Sequence, residues 1–479
     1  MSFWTFDNLR EVTAGRWLRR GDDGVLSEPS GVSTDTRTLS RGQVFVALAG
    51  ARFDGHAYIA DAVAAGSPLI VVEREDAADA IDATDAASVA VLKVDSTVRA
   101  LGQLAASWRR QYAGTVIAVT GSVGKTTTKQ LIHAVLSQAH AGRAAPRSFN
   151  NHIGVPLTLL NTRPRDRYVV VEVGTNAPGE IQALARIIEP DVAIITAIGR
   201  AHLERLGSIV DVAAEKAALL RYLREGGLAI VNGDTPYLAE HLKAVERVIR
   251  FGRSDACDLR LTATGPRADG PGQRFVINDR AGFDLPLVGQ HNALNALAAV
   301  AVGRHMKLSD DQIAAGLLAA PAPAMRLAVS HLGAADAARR ITLINDAYNA
   351  NPESMAAAIA VLSETPTDGR RIAVLGDMAE LGDQAPQLHR ELGELLTRTN
   401  VDAAVLVGPL SLYTAEPLSR QWAAHRVAAI PAWTDATPDA VAARVNAGDT
   451  LLIKGSRAAG LERLVPALEQ RFGPHSPVA

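Results

Sequence analysis

The stretch VIAVTGSVGKTTT, residues 116–128, sets the tightest limit on what this chain can fold into. The apolar, β-branched run TVIAVT at 115–120 is the pattern of a buried parallel strand. KQLIHAVLSQA at 129–139 places Leu131, Ile132, Val135 and Leu136 on one helical face. Between them lie Gly121, Gly124, Lys125 and Thr126. Glycines let a backbone wrap closely around phosphates, and a helix start aims free N–H groups and partial positive charge at them. A lysine neutralises phosphate charge, and the hydroxyl after it can hold a metal. The longer form of this loop, G-x-x-x-x-G-K-[ST], requires glycine at position 119, where Val119 stands. A glycine turn with an exposed lysine is the competing reading. The strand before and the helix after favour a nucleotide site.

Strand-then-polar-turn segments recur through the middle of the chain, at YVVVEVG (168–174), DVAIITAIG (191–199) and LAIVNGD (228–234). Strands separated by helices predict an α/β fold with a doubly wound, mostly parallel sheet. Length allows about three domains at roughly 150 residues each. Residues 1–97 form a small α/β unit, with apolar runs VFVAL (44–48) and PLIVV (68–72) around a helical pattern at 56–66. Residues 98–320 hold the phosphate loop, after an amphipathic helix at 96–110. Residues 321–479 open on the proline-bearing PAPAMRL and carry strand candidates at 341–346, 371–377, 403–408 and 450–456, a Rossmann-like pattern. Ligands of such sheets bind beyond the carboxyl ends of the strands, so the polar clusters there are the places to look for chemistry.

A hydrophobic fraction of 48% supports sizeable cores, and a net charge of -2 argues against nucleic acid or an anionic membrane as main partner. With Cys257 the single cysteine, no intrachain disulfide can form, which suits a reducing compartment. The start, MSFWTFDNLREV, does not read as a secretory signal, and no apolar run approaches the ~18 residues of a membrane span. A soluble cytoplasmic protein is expected.

Three polar residues stand near the sheet. Glu172 lies between Val171 and Val173 at the end of a strand that should be buried, where an idle carboxylate is costly. It can face the phosphate loop and serve magnesium. His202, in AHLERLG, suits an ordinary histidine as well as a ligand. Lys216, in DVAAEKAALLRYL, reads on spacing alone as a lysine whose stem packs while its amine reaches water.

Taken together, TGSVGKTT (120–127), NNHIGVP (150–156), EVGTN (172–176), the His202 segment, EKA (215–217), GQHNALNALAA (289–299) and DAYNANPESM (346–355) resemble the Mur ligase family, ATP-dependent amide-forming enzymes of bacterial cell-wall precursor synthesis. That family's phosphate loop is the short form, without the earlier glycine. STDTRTLSRGQVFVALAGARFDGHAYI (33–59), LGDMAELG (375–382) and KGSRA (454–458) resemble the member that joins D-alanyl-D-alanine to UDP-N-acetylmuramoyl-tripeptide. The Asp-Asn-Pro-Arg motif of the third-residue-adding member is not found. Folylpolyglutamate synthases should lack the N-terminal uridine-nucleotide stretch, and a regulatory GTPase would need an Asn-Lys-x-Asp segment that is also missing.

The resemblance implies roles. Gly121, Ser122, Val123, Gly124, Lys125, Thr126 and Thr127 would hold ATP, with Lys125 on the β- and γ-phosphates. Thr126, Glu172 and His202 would serve Mg2+, joined by Lys216 if it is carbamylated, since carbon dioxide adds to a neutral amine and leaves an anionic oxygen ligand. His291, Asn292 and Asn295 would contact adenosine. Arg326, Asp346, Tyr348 and Asn349 would complete the ATP site when domains close. Lys125, Lys216, His202 and Arg326 form the implied catalytic set. Ser33, Asp35 and Arg37 would lie near the uridine diphosphate, and Asn150, Asn151, Lys454, Ser456 and Arg457 near the substrates. Thr36 replaces a serine usual in the family, and Ser148 an asparagine. A monomer acting on small molecules is expected.

Overall fold

The computed structural model describes every residue except 1, 23, 51–52, 82–84, 86, 334–339 and 478–479. Residues 51 and 52 of the 33–59 segment therefore lie outside the described residues.

Three large sheets follow one another along the chain. The first has five strands, in the order Arg16–Arg19, Ala90–Lys93, Leu69–Val72, Val44–Val46 and Val32–Ser33. All its pairings are parallel except the outermost one with Arg16–Arg19. The second has nine strands. Its parallel part runs Leu259–Pro266, Val248–Gly252, Leu228–Asn232, Val192–Ile195, Thr115–Thr120, Tyr168–Glu172, Gly142–Ala144. The third has seven strands, centred on Thr450–Lys454 between Arg371–Gly376 and Ile341–Asp346. Its antiparallel pairings are those of Ala328–Leu332 with Ile341–Asp346 and with His475–Pro477.

The strands read as continuous apolar runs are buried on both faces. Val116 to Val119, Val169 to Val171 and Val192 to Ile195 have no exposed surface, because helices cover each side of the sheet. Thr115–Thr120 pairs with Val192–Ile195 on one side and Tyr168–Glu172 on the other, so the chain reverses its direction of winding there. The crevice beyond its carboxyl end is where an open α/β sheet takes its ligand.

Two local features depart from expectation. The helix after the phosphate loop spans Lys125–Leu136, starting earlier than its apolar pattern because the loop itself supplies the first turn. An antiparallel extension, Leu259–Pro266, Gln273–Ile277 and Ala281–Leu285, lengthens the sheet where no continuous apolar run marks it. Its strands alternate buried and solvent-facing residues instead.

Apolar packing joins the central and C-terminal sheets. Leu203, Leu206 and Val212 share one buried cluster with Ile344, Met355, Met378 and Leu381. The polar groups around the junction follow from that docking.

Candidate active site

The phosphate loop leaves Thr120 at the switch point. Gly121 takes φ +148°, and a Cβ there would lie 2.0 Å from Thr196 Oγ1. Gly124 takes φ +86°, and its Cβ would meet Asn295 Oδ1 at 2.4 Å. Both positions need glycine for conformation and for space. Gly124 ends the loop without a side-chain cap on the Lys125–Leu136 helix, which leaves its first N–H groups facing a cavity of about 670 Å³.

That cavity gathers most of the residues singled out in the sequence. Ser122 to Thr127 form its floor. His291, Asn292 and Asn295, on the helix Gln290–His305, form one wall. Asn292 Nδ2 donates to the Val288 carbonyl at 2.8 Å, and Asn295 Nδ2 to Asn292 Oδ1 at 3.2 Å, so both amides are fixed. Arg326, Asp346, Tyr348 and Asn349 of the C-terminal region line the same cavity. The Arg326 guanidinium sits 4.1 Å from the centroid of the Tyr348 ring, and the Tyr348 hydroxyl donates to Ser148 Oγ at 2.9 Å across the junction. Lys454, the last residue of its strand, donates to Asp346 Oδ2 at 2.6 Å and to the Asn349 carbonyl at 2.9 Å. Ser456 and Arg457 stand outside this lining. The Ser456 N–H donates to the Asp377 carbonyl, and Arg457 pairs with Glu462 at 3.0 Å.

Glu172 is 1% exposed and wholly engaged. Its Oε1 accepts from Asn150 Nδ2 at 3.0 Å. Its Oε2 accepts from Thr126 Oγ1 at 3.0 Å and lies 3.2 Å from Lys129 Nζ. A buried carboxylate beside a hydroxyl at the loop gives oxygen donors of the kind magnesium takes. Among the described residues no group of three or more His, Cys, Asp and Glu could hold a metal unaided. The oxygens of Glu172 and Thr126 fit a magnesium ion. His202 lines the cavity in a left-handed backbone conformation, φ +58°, with Nδ1 2.5 Å from Glu380 Oε2. Hydrogen bonding to His202 holds the Glu380 carboxyl below the usual carboxylate range.

The lysines carry the main correction. Lys216 does not reach water. It is 1% exposed near the end of the helix Ile209–Ala217, which starts on a Ser208–Asp211 capping box. Its neighbour Glu215 pins the turn beneath by accepting from the N–H groups of Gly179 and Ile181. Burial, and then the charge of Lys125, push the Lys216 amine down to about 7. Near neutral pH it has a neutral fraction, the form that adds carbon dioxide. Burial also lowers Lys125, whose Nζ donates to the Gly121 carbonyl at 2.6 Å. Burial takes His291 down to about 4, leaving a neutral ring.

A second cavity, of about 1160 Å³, lies between the first sheet and the central one. Ser33, Asp35 and Arg37 line it. Ser33 Oγ accepts from the Asp35 N–H at 3.2 Å, and Arg37 grips Asp35 through Nε at 2.9 Å and Nη2 at 2.7 Å. That hydrogen bonding holds the Asp35 carboxyl below its usual range. Asn161 joins the two regions by accepting from the Val32 N–H at 3.2 Å and donating to its carbonyl at 2.9 Å. Gly31, at φ +108°, has no room for a Cβ against Asn161. Arg143, Arg147, Arg163 and Arg165 line the opposite wall. These arginines, and Lys129, escaped the sequence reading.

Three family models match the chain: the Mur ligase family catalytic domain over residues 28–109, the Mur ligase middle domain over 119–303, and the Mur ligase glutamate ligase domain over 332–457. The UDP-N-acetylmuramoyl-tripeptide--D-alanyl-D-alanine ligase of Bacillus subtilis (strain 168) is 36% identical over 453 residues, covering 93% of this chain and 96% of that protein. The crystal structure of MurF from Acinetobacter baumannii superposes with a TM-score of 0.83 at 33% identity, covering 98% of this chain and 99% of that one. MurF ligase from Thermotoga maritima, solved in complex with ADP, superposes with a TM-score of 0.76 at 27% identity, over 92% and 97% of the two chains.

Proposed function

The chain belongs to the Mur ligase family, and we propose that it joins D-alanyl-D-alanine to UDP-N-acetylmuramoyl-tripeptide at the expense of ATP. The observation that carries this is the pairing of two cavities. One is built on a phosphate loop and closed over by the C-terminal region, and the other is basic and faces the N-terminal sheet. A substrate with a uridine diphosphate at one end and a peptide carboxylate at the other needs both.

A free carboxylate is a poor electrophile, so it must be activated. The tripeptide carboxylate attacks the γ-phosphorus of ATP, giving an acyl phosphate and ADP. The amine of D-alanyl-D-alanine then attacks the acyl carbon, and phosphate leaves from the tetrahedral species. Positioning and charge neutralisation do most of the work of phosphoryl transfer. Lys125 and the loop N–H groups orient the β- and γ-phosphates, and Arg326 faces them from the other domain. Thr126, Glu172, His202 and a carbamylated Lys216 would hold Mg2+, which neutralises phosphate charge when bound. Asn292 and Asn295 suit the adenosine end. Ser33, Asp35 and Arg37 suit the uridine diphosphate, with Asn150, Asn151 and Lys454 between. Closure of the C-terminal region keeps water from the acyl phosphate.

The acting form proposed is a monomer. No helix among the described residues is long and apolar enough to cross a membrane.

With ATP, Mg2+ and UDP-N-acetylmuramoyl-tripeptide supplied, ADP release should require added D-alanyl-D-alanine. Equal turnover without the dipeptide would sink the ligase reading.

A further inference from the structure

Lys129 touches neither substrate cavity, yet it is among the largest fully buried side chains, at 2% exposure. An ammonium so placed is costly unless each of its bonds is matched. Its Nζ has two partners. One is Glu172 Oε2 at 3.2 Å, and the other is the Arg147 carbonyl. Glu172 belongs to the phosphate-loop cavity. Arg147 belongs to the wall between the cavities, where Pro146, Arg147 and Phe149 face the basic cavity while Ser148, Asn150 and Asn151 face the other. Arg147 also takes φ +46°, a left-handed conformation that a non-glycine residue keeps only when its surroundings hold it.

We propose that Lys129 is a positioning residue: one buried ammonium fixes the Glu172 carboxylate and the Arg147 wall together, so that it sets the geometry of both cavities. The inference rests on the ligase reading for the identity of the two ligands. Lys129 aims Glu172 toward Thr126, and it holds the Arg147 turn that shapes the uridine side. Loss of the ammonium should therefore be felt at two sites that share no ligand-contacting residue with it.

The test uses the full-length enzyme carrying Lys129→Met, which keeps the packed stem. Calorimetry with UDP-N-acetylmuramoyl-tripeptide, without ATP or Mg2+, is expected to show affinity reduced about tenfold. The Mg2+ concentration for half-maximal ligation should rise about ten- to a hundredfold, the usual range for removal of a group that orients a metal's ligand. KM for D-alanyl-D-alanine should stay within about threefold. Thr126→Val, which touches Glu172 but not Arg147, should leave the calorimetric affinity unchanged. Lys129→Gln, which keeps a donor in the pocket, should give the same pattern with smaller losses. A folded variant with a loss on one side only, or on neither, overturns the proposal. Failure of both Lys129 variants to fold overturns it too, since Lys129 would then serve the core alone. The dipeptide requirement of the unmodified enzyme decides the ligase reading separately, and binding of UDP-N-acetylmuramoyl-tripeptide to the unmodified enzyme is the reference against which each variant is read.

Discussion

The two cavities are built on opposite electrostatic plans. Around the phosphate loop, charges are buried and paired within the protein: Glu172 has three donors around it, and Lys454 is matched by Asp346 and a carbonyl. The basic cavity uses partly or fully exposed arginines, of which Arg37 has 87% of its side chain exposed while it grips Asp35. A buried, satisfied network is rigid and aims its groups before the ligand arrives. Exposed guanidiniums attract phosphate from solution and are screened by salt. The first plan suits chemistry, which needs geometry. The second suits capture, which needs affinity and reach.

The largest effect should come from the buried cavity. Lys125→Ala is expected to lower the ligation rate about a thousandfold, comparable to removing one preorganised group from a site of charge development. UDP-N-acetylmuramoyl-tripeptide binding, measured by calorimetry, should stay within about threefold. An equal loss of both would erase the functional contrast between the cavities.

The difference in plan also explains what could be read in the sequence. Thr115–Thr120 and Tyr168–Glu172 are legible because strands buried on both faces must be apolar throughout, and the loop glycines are legible because nothing else fits their conformation. Glu172 is legible as a charge that should not be idle in such a strand. Lys216 and Lys129 are not, because a lysine stem packs equally well whether its amine ends in water or in the core. Only the tertiary fold brings Lys125 near Lys216, or places Glu380 against His202. Arg143, Arg147, Arg163 and Arg165 lie on short or irregular segments around the three-residue strand Gly142–Ala144, too brief for a periodic pattern to mark them. The strands between residues 259 and 285 alternate burial instead of running apolar, which hides them from a search for continuous runs.

Burial should also link the first cavity to stability. His291 titrates near about 4 in the folded chain, against 6.5 for a free histidine. As pH falls through 6.5 the unfolded chain takes up this proton first, so the folded state loses stability between pH 6.5 and about 4 and loses no more below that. At about 1.4 kcal/mol per unit, the loss is on the order of 3 kcal/mol at most, since water in the cavity lessens it. Denaturant melts of the unmodified protein and His291→Gln should diverge across this window. Parallel pH curves would mean that the ring is already solvated.

Arg37→Ala should have a smaller and different effect. Its bidentate hold on Asp35 is exposed and screened by water, so stability should be nearly unchanged. Its charge faces the basic cavity, so affinity for UDP-N-acetylmuramoyl-tripeptide should fall about tenfold at low salt, the scale of one charge-assisted contact to phosphate. Raising ionic strength should narrow the gap between variant and unmodified protein, because screening takes from the intact cavity what the substitution has already removed. kcat at saturating substrate should remain within about twofold, since the phosphate-loop cavity is untouched. A large fall in kcat with unchanged affinity would instead place Arg37 with the buried groups that aim the reaction, and the division of labour between the two cavities would fail at that residue.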